Sequence, residues 1–137
     1  MSESVKKERI ISPQVAEPAD RLWSNCLRVG ELVYISGLTS RAQDRVTIEG
    51  ENEYEQAKII FGKIKLLIEA AGGVMDDIVM MTIFVTAIQN KKKVWKAREE
   101  YFSGNFPSCT LVEVSALATP AILVEINAVA HLECSGS

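Results

Sequence analysis

A carboxylate and a thiol in the C-terminal part of the chain are the side chains best suited to chemistry. Glu125 stands in the run Val124-Glu125-Ile126, where an acidic group among apolar neighbours is an unusual choice for a strand. Such a carboxylate can act as a general base or orient a water molecule for attack, and an interface ion pair is the alternative role. For Cys109, a nearby carboxylate would raise the pKa of the thiol and oppose a nucleophilic role. Covalent catalysis is therefore not expected, and a small buried filler remains an alternative for Cys109.

The elements that carry these residues are predicted to be two neighbouring strands. The first runs from about Cys109 to Ala116 and the second from about Ala121 to Leu132. Pro120 lies in the short connection between them and ends the first strand, because proline has no N–H to donate. Side chains alternate along a strand, so we predict a hairpin with one wholly apolar face and one mixed face that carries Cys109 and Glu125. The apolar residues of the second strand are Ile122, Val124, Ile126, Ala128 and Ala130.

The rest of the chain is predicted to alternate strands and helices. An irregular lead-in, residues 1–20, with a short strand near Arg9–Ser12, precedes a single domain, residues 21–137. The further elements are strands Trp23–Gly30 and Leu32–Ser36, helix Glu51–Ala71, strand Ile78–Ala87 and helix Lys91–Phe102. The order ββ-α-β-α-ββ predicts an α+β domain in which two helices cover one face of a mixed sheet.

Two helices leave the second face of such a sheet uncovered. We expect that face to carry Cys109, Leu111, Leu123 and Val129 among polar groups, which is too apolar for exposure to water. Burial against further copies of the chain is the simple remedy. A ligand pocket would then lie between subunits.

Composition argues against several classes of function. The chain has 137 residues, of which 47% are hydrophobic, so it can bury one proper core. Its net charge of −3 gives no basic surface for a nucleic acid. The apolar runs are far shorter than the roughly 20 residues of a membrane helix. The charged segment Met1–Ile11 lacks an apolar signal region, so we expect a cytoplasmic protein without membrane contact.

The cysteine and histidine content argues against a structural cross-link or a metal site. The three cysteines show no CxxC spacing, which disfavours a disulfide framework and a zinc site. His131 is the single histidine, so a multi-histidine metal site within one chain is impossible, and a structural role is expected for it. No cofactor is expected.

Several motifs together resemble the Rid family, also called the YjgF/UK114-type or endoribonuclease L-PSP family. The resemblance begins at Pro107, continues after four intervening residues with Val112-Glu113-Val114, and ends with Val124-Glu125-Ile126-x-Ala128-x-Ala130. Gly30-x-Leu-Val-Tyr-Ile-Ser-Gly37 is similar to the N-terminal hairpin of that family. Further similar stretches are Ala70-Ala71-Gly72-Gly73 and Asp76-Asp77-Ile78-Val79. In all, the resemblance spans about residues 23–132.

The resemblance implies a fold, an assembly and an activity. Rid proteins are small homotrimers with a fold like that of the trimeric chorismate mutases, and the characterised ones hydrolyse reactive enamines and imines to ketones and ammonia. Glu125 matches the family glutamate that positions the attacking water, and Gly37 matches a further family residue. The other implied substrate-binding positions are Trp23 for the first-strand aromatic, Trp95 for a helical asparagine, and Leu111 for a family cysteine.

The informative departure lies at Cys109. In active Rid deaminases an arginine occupies this position and holds the substrate carboxylate through a pair of hydrogen bonds. Its replacement implies weak or absent activity on 2-iminopropionate-type substrates and favours a neutral or aromatic-derived substrate. The alternative is a non-catalytic trimer that binds a small metabolite or a protein. The acidic charge and single histidine give little support to a ribonuclease. Tryptophans such as Trp23 and Trp95 are also common as packing residues.

Overall fold

The computed structural model describes residues 5–136 and shows an α+β fold built on one mixed six-stranded sheet. Residues 1–4 of the expected lead-in, and residue 137 at the end of the expected domain, lie outside the described residues. The strands are β1 (Lys7–Arg9), β2 (Cys26–Val29), β3 (Leu32–Leu38), β4 (Ile78–Val85), β5 (Ser108–Glu113) and β6 (Val124–His131), and the helices are α1 (Glu53–Ala70) and α2 (Lys91–Glu99). No helix within residues 5–136 has the length and apolar character needed to cross a membrane.

Helix α1 packs its apolar side into the hydrophobic core. Its N-terminus is capped by Asn52, whose side chain accepts a hydrogen bond of 2.9 Å from the backbone N–H of Glu55. It ends where Gly72 adopts a φ of 97°, a conformation that glycine takes without steric cost. The residues that α1 buries include Ala57, Ile60, Phe61, Ile64, Leu67 and Ile68, which recur at helical spacing. Burying each larger one stabilises the fold by about 1.5–3 kcal/mol.

Both helices lie on one face of the sheet, as the sequence predicts. Helix α2 packs on α1 through its buried residues Val94 and Ala97. Just beyond α2, Phe102 meets Phe61 edge to face, with ring centroids 6.0 Å apart. The predicted apolar face of β6 is confirmed, because its alternate residues from Val124 to Ala130 are all buried beneath these helices.

The predicted hairpin between β5 and β6 is wrong. The strand order is β1-β2-β3-β6-β4-β5, so β4 lies between the two. Strand β5 pairs in parallel with β4, and β6 pairs antiparallel with both β4 and β3. The physical reason is the connection: β5 already ends at Glu113, and residues 114–123 are long enough to carry the chain across β4, whereas a hairpin needs a tight turn.

This order also changes the predicted content of the two sheet faces. Cys109 and Leu111 stand in register with Met81 and Ile83, whose side chains are buried under the helices. Together with Leu123 they pack partly against the core. The expectation that all three lie on the uncovered face is therefore wrong. Register with β4, rather than with β6, decides which way the β5 side chains point.

The uncovered face is nevertheless apolar, and we call it the open face. Tyr34, Met80 and Val112 are 43%, 50% and 38% exposed there, on three different strands. Val129 on β6 stands opposite both Tyr34 and Met80, and Phe84 on β4 stands beside Val112. The apolar surface therefore runs across four neighbouring strands, and no described element of the chain covers it.

The N-terminal segment, which the sequence predicts to be an irregular lead-in, contributes a paired strand and buried residues to the fold. Strand β1 pairs with β2, with Arg9 opposite Leu27. Its span, Lys7–Arg9, overlaps the predicted Arg9–Ser12 only at Arg9. Ile10 and Val15 follow and are buried in the core, 7% and 4% exposed. This segment therefore adds an edge strand and two core residues.

Candidate functional site

Glu125 lies half-buried on the open face. It is in register with Phe84 of β4, so an aromatic ring stands on the neighbouring strand. Burial raises the pKa of its carboxyl group, and no hydrogen bond or charge from the described residues offsets this effect. A carboxylate with a raised pKa, left without a partner, is suited to accept a proton from water near neutral pH.

Gly37 adjoins the carboxyl group of Glu125. The pairing between β3 and β6 is irregular between Ile35 and Leu38, and Gly37 lies in that irregular segment. A β-carbon on Gly37 would overlap Oε2 of Glu125 and would lie only 3.0 Å from its carboxyl carbon. Any larger residue would have to displace the acid, so glycine at this position sets where the carboxyl group lies.

Gly37 also lines a cavity of about 300 Å³. Trp23 and Leu22 line it with apolar surface, while Arg41 and Lys63 line it with positive charge. Trp23 is 54% exposed, and its indole N–H donates a hydrogen bond of 3.1 Å to Oδ1 of Asn25. Glu125 does not line this cavity, so Gly37 is the residue that joins the carboxyl group to the cavity rim.

Sequence reasoning missed Lys63. Its Nζ donates hydrogen bonds of 2.7 Å to the carbonyl of Thr39 and 2.5 Å to the carbonyl of Arg41, and these bonds tie the loop after β3 to α1. Desolvation lowers the pKa of this ammonium group. On the amphipathic pattern of α1, a lysine is expected on the solvent side, so nothing local in the sequence indicates this role.

The remaining predicted site residues form a second group where β5 meets α2. Cys109 and Leu111 lie there on the helix side of the edge strand, and Trp95 lies half-buried on α2. Nη1 of Arg98 donates a hydrogen bond of 3.4 Å to Sγ of Cys109. The sequence places Arg98 on the helix but does not indicate that its guanidinium group reaches the thiol.

The structure therefore divides the predicted residues into two groups that do not meet within one chain. Glu125 lies on the open face beside Gly37, and Trp23 lines the same cavity as Gly37. Cys109, Leu111 and Trp95 lie on the helix-covered side. Strand β4, and the sheet itself, separate the two groups.

The remaining ionisable candidates stand apart from both groups. His131 is exposed at the end of β6, where Nδ1 is 3.2 Å from the carbonyl oxygen of Leu132. The cysteines are free, and burial raises the pKa of Cys26 to about 12. Within residues 5–136 no cluster of three or more histidine, cysteine or acidic side chains could hold a metal ion.

Comparison with known proteins identifies the family. The family model described as endoribonuclease L-PSP matches residues 14–132. A RutC family protein of Saccharolobus solfataricus is 31% identical over 91% of this chain and 98% of its own length. A 2-iminobutanoate/2-iminopropanoate deaminase of Dermatophagoides farinae is 31% identical over 92% of this chain and 98% of its own length. A crystal structure of a Pseudomonas aeruginosa protein of unknown function superimposes with a TM-score of 0.82 at 38% identity, covering 94% of each chain.

The fold and the matched residues together define a Rid-type domain. The chain belongs to the endoribonuclease L-PSP family, the family of Rid (YjgF-type) proteins. The deaminase activity in one relative's name belongs to that relative. A shared fold does not by itself assign that activity to this chain.

Proposed function

We propose that this protein is a homotrimeric hydrolase that converts a small reactive imine or enamine into a carbonyl compound and ammonia. The observation that carries the proposal is the unpartnered carboxyl group of Glu125, with its raised pKa, held against Gly37. The family match and one deaminase among the relatives agree with it.

The proposed reaction needs one water molecule and one proton carrier. The carboxylate of Glu125 accepts a proton from water as the water oxygen bonds to the imine carbon, and the C=N double bond becomes a C–N single bond. The same carboxyl group then returns the proton to nitrogen. The product of these steps carries a hydroxyl and an amino group on the same carbon. The carboxylate then takes the hydroxyl proton and passes it to nitrogen, so that the carbonyl forms as the C–N bond breaks and ammonia leaves. Imine and water are consumed, and ketone and ammonia are produced.

The trimer is part of the proposal, because one chain does not contain a complete pocket. The open face exposes Tyr34, Met80 and Val112, which favours its burial against another copy. A closed ring of identical chains would also let the edge strand β5 of one subunit approach Glu125 of the next. The small-molecule pocket would then lie between subunits.

Two tryptophans favour a flat substrate of aromatic origin. Trp23 offers a half-exposed indole beside Gly37, and Trp95 offers a second one on α2. The expectation of a neutral substrate has a different basis, namely the lack of an arginine at position 109. The expectation of a neutral substrate therefore requires that no other positively charged side chain near Cys109 binds a carboxylate.

Rates of ammonia release from imines test this proposal. An amino-acid oxidase generates imino acids from phenylalanine and leucine, and a flavin-dependent amine oxidase generates neutral imines from the corresponding amines. We expect the protein to accelerate hydrolysis of at least one of them, and Glu125→Gln to remove the acceleration. Glu8→Gln, on the exposed edge strand β1, is the matched control and should leave it unchanged.

A non-catalytic trimer that binds a metabolite is the second candidate, and Cys109 in place of an arginine is the observation that favours it. If the protein binds a carbonyl product but accelerates none of these hydrolyses, and Glu125→Gln changes nothing, this candidate replaces the hydrolase. Light scattering supplies the test of assembly: a mass near 15.1 kDa in solution contradicts the trimer.

A further inference from the structure

The cavity that Gly37 lines combines two kinds of lining residue. Residues 15–23 contribute mostly apolar surface, in which Leu22 and Trp23 are 62% and 54% exposed. The loop after β3 and helix α1 contribute the cations, which are Arg41, Arg45 and Lys63. A concave surface that joins an exposed aromatic ring to several charged donors is typical of a small-molecule site.

The positive charge of this cavity is not neutralised by the acids of the chain. Glu17 is the one acidic residue in its lining, and Arg9, which does not line the cavity, donates hydrogen bonds of 3.0 Å and 2.7 Å to that carboxylate. None of the ion pairs formed by residues 5–136 includes Arg41, Arg45 or Lys63. The cavity therefore keeps a positive charge that a bound anion would balance.

The loop after β3 fixes the backbone from which Arg45 extends. Arg45 has a φ of 66°, in the left-handed region that residues other than glycine seldom adopt. Its N–H donates a hydrogen bond of 2.9 Å to the carbonyl of Ala42. Asp44 accepts hydrogen bonds of 2.8 Å from the N–H groups of both Val46 and Thr47, so the nearest carboxylate in sequence is used by the turn itself.

The cations of the cavity keep hydrogen-bond donors for a ligand. Nη1 of Arg41 donates a hydrogen bond of 3.2 Å to the carbonyl of Arg45, which uses one of the five donors of a guanidinium group. Lys63 uses two of its three donors on the carbonyls of Thr39 and Arg41. These bonds hold the charged groups at the cavity while leaving N–H groups that an anion can accept.

We propose that this cavity binds a small aromatic anion, with its ring against Trp23 and its acidic group on Arg41 and Arg45. The volume of about 300 Å³ suits a single ring with a short acidic side chain. Every lining residue belongs to one chain, and Glu125 is not among them. The site is therefore separate from the proposed catalytic carboxyl group, and the inference does not depend on the proposed hydrolase.

Isothermal titration calorimetry with four probes tests the ligand chemistry. The probes are phenylacetate, phenyl phosphate, the uncharged phenylacetamide, and acetate, which has no ring. We expect at least one of the two aromatic anions to bind with a Kd of about 1 mM or tighter. Phenylacetamide should bind about tenfold to a hundredfold more weakly than that anion, the range for a lost charged hydrogen bond, and acetate should also bind more weakly. The tighter of the two aromatic anions distinguishes a carboxylate from a phosphate ligand.

Arginine variants test the assignment of the charged groups. Arg45→Met should weaken binding of the anion about twofold to fivefold, because this guanidinium group is exposed, and the half-buried Arg41→Met should weaken it about tenfold or more. Arg21→Met is the matched control: Arg21 is also exposed, with a φ of 68°, but it does not line the cavity. Thermal melting temperatures are measured for each variant, and the exposed Arg45→Met keeps the test decisive if Arg41→Met alters folding.

Tryptophan fluorescence tests the location. Trp95→Phe leaves Trp23 as the single tryptophan, and its emission should change with the aromatic anion but not with acetate. Glu125→Gln should leave the affinity unchanged. The assignment is overturned if neither aromatic anion binds at about 10 mM, if the amide binds equally well, if Arg45→Met and Arg21→Met behave alike, or if Glu125→Gln abolishes binding. A protein that binds the anion as expected but hydrolyses no imine keeps this site and loses the proposed hydrolase.

Discussion

Substitution of Gly37 by alanine tests the geometry on which the proposed chemistry depends. The added β-carbon would overlap Oε2 of Glu125, and it would lie 3.0 Å and 3.2 Å from the carboxyl carbon and Cγ. The φ of Gly37 does not lie in the left-handed region, so overlap with the acid is the main obstacle. We expect Gly37→Ala to lower the free energy of unfolding by about 1–3 kcal/mol, the usual cost of overpacking.

A double-mutant cycle assigns this cost to one pair of residues. In a Glu125→Ala background the overlap is gone, and alanine in a strand is favoured over glycine by about 0.5–1 kcal/mol. Gly37→Ala should then be neutral or slightly stabilising. The interaction energy between the two positions is therefore expected at about 1.5–4 kcal/mol, which overlaps the range of about 0.5–3 kcal/mol for residues in contact.

The assay is urea unfolding at a fixed protein concentration, because the stability of an oligomer depends on concentration. Gly62→Ala is the matched control: its β-carbon would meet only Oη of Tyr101, at an ordinary 3.7 Å. Since Gly62 lies inside α1, we expect this change to stabilise the protein by up to about 1 kcal/mol. Equal destabilisation by Gly37→Ala in both backgrounds would refute the placement of Glu125 against Gly37.

Two further predictions concern pH and assembly. Burial raises the pKa of Glu125 above its ordinary 4.5, so the folded state favours the protonated acid. Stability contributed by this group is therefore present below pH 4.5 and is lost as the pH rises through the folded-state pKa, a trend that should disappear in Glu125→Gln when urea unfolding is repeated across pH. Met80→Asp should reduce the mass measured by light scattering towards 15.1 kDa, whereas Val46→Asp, exposed to 75% and not on a strand of the sheet, should not.

Local patterns predicted the elements of this fold well because each element follows from short-range physics. The amphipathic stripe and terminal glycines of α1 placed it at 51–71, and the helix occupies 53–70. Alternation along β6 identified its buried face correctly. These features depend on residues within a few positions of one another, which a single sequence displays directly.

Which strands lie next to each other in the sheet could not be predicted from such local patterns. The alternation in β5 is the same whether its neighbour is β6 or β4, and only long-range pairing decides between them. The parallel register of Cys109 with Met81 turns the thiol towards α2 and away from Glu125. For the same reason the contact between Arg98 and Cys109 is invisible in the sequence, although the two lie only eleven positions apart.

The position of β4 between β6 and the edge strand β5 connects the question of assembly with the question of function. Its helix-facing residues Met81 and Ile83 are buried, whereas Met80 on its other side remains half-exposed. The same strand separates Glu125 on β6 from Arg98 beside β5. A second chain packed on the open face would cover the exposed apolar side chains and would also enclose the half-buried carboxyl group of Glu125. On this reasoning assembly through the open face would shield both the apolar side chains and Glu125, and a variant that abolishes assembly should abolish catalysis even with Glu125 intact.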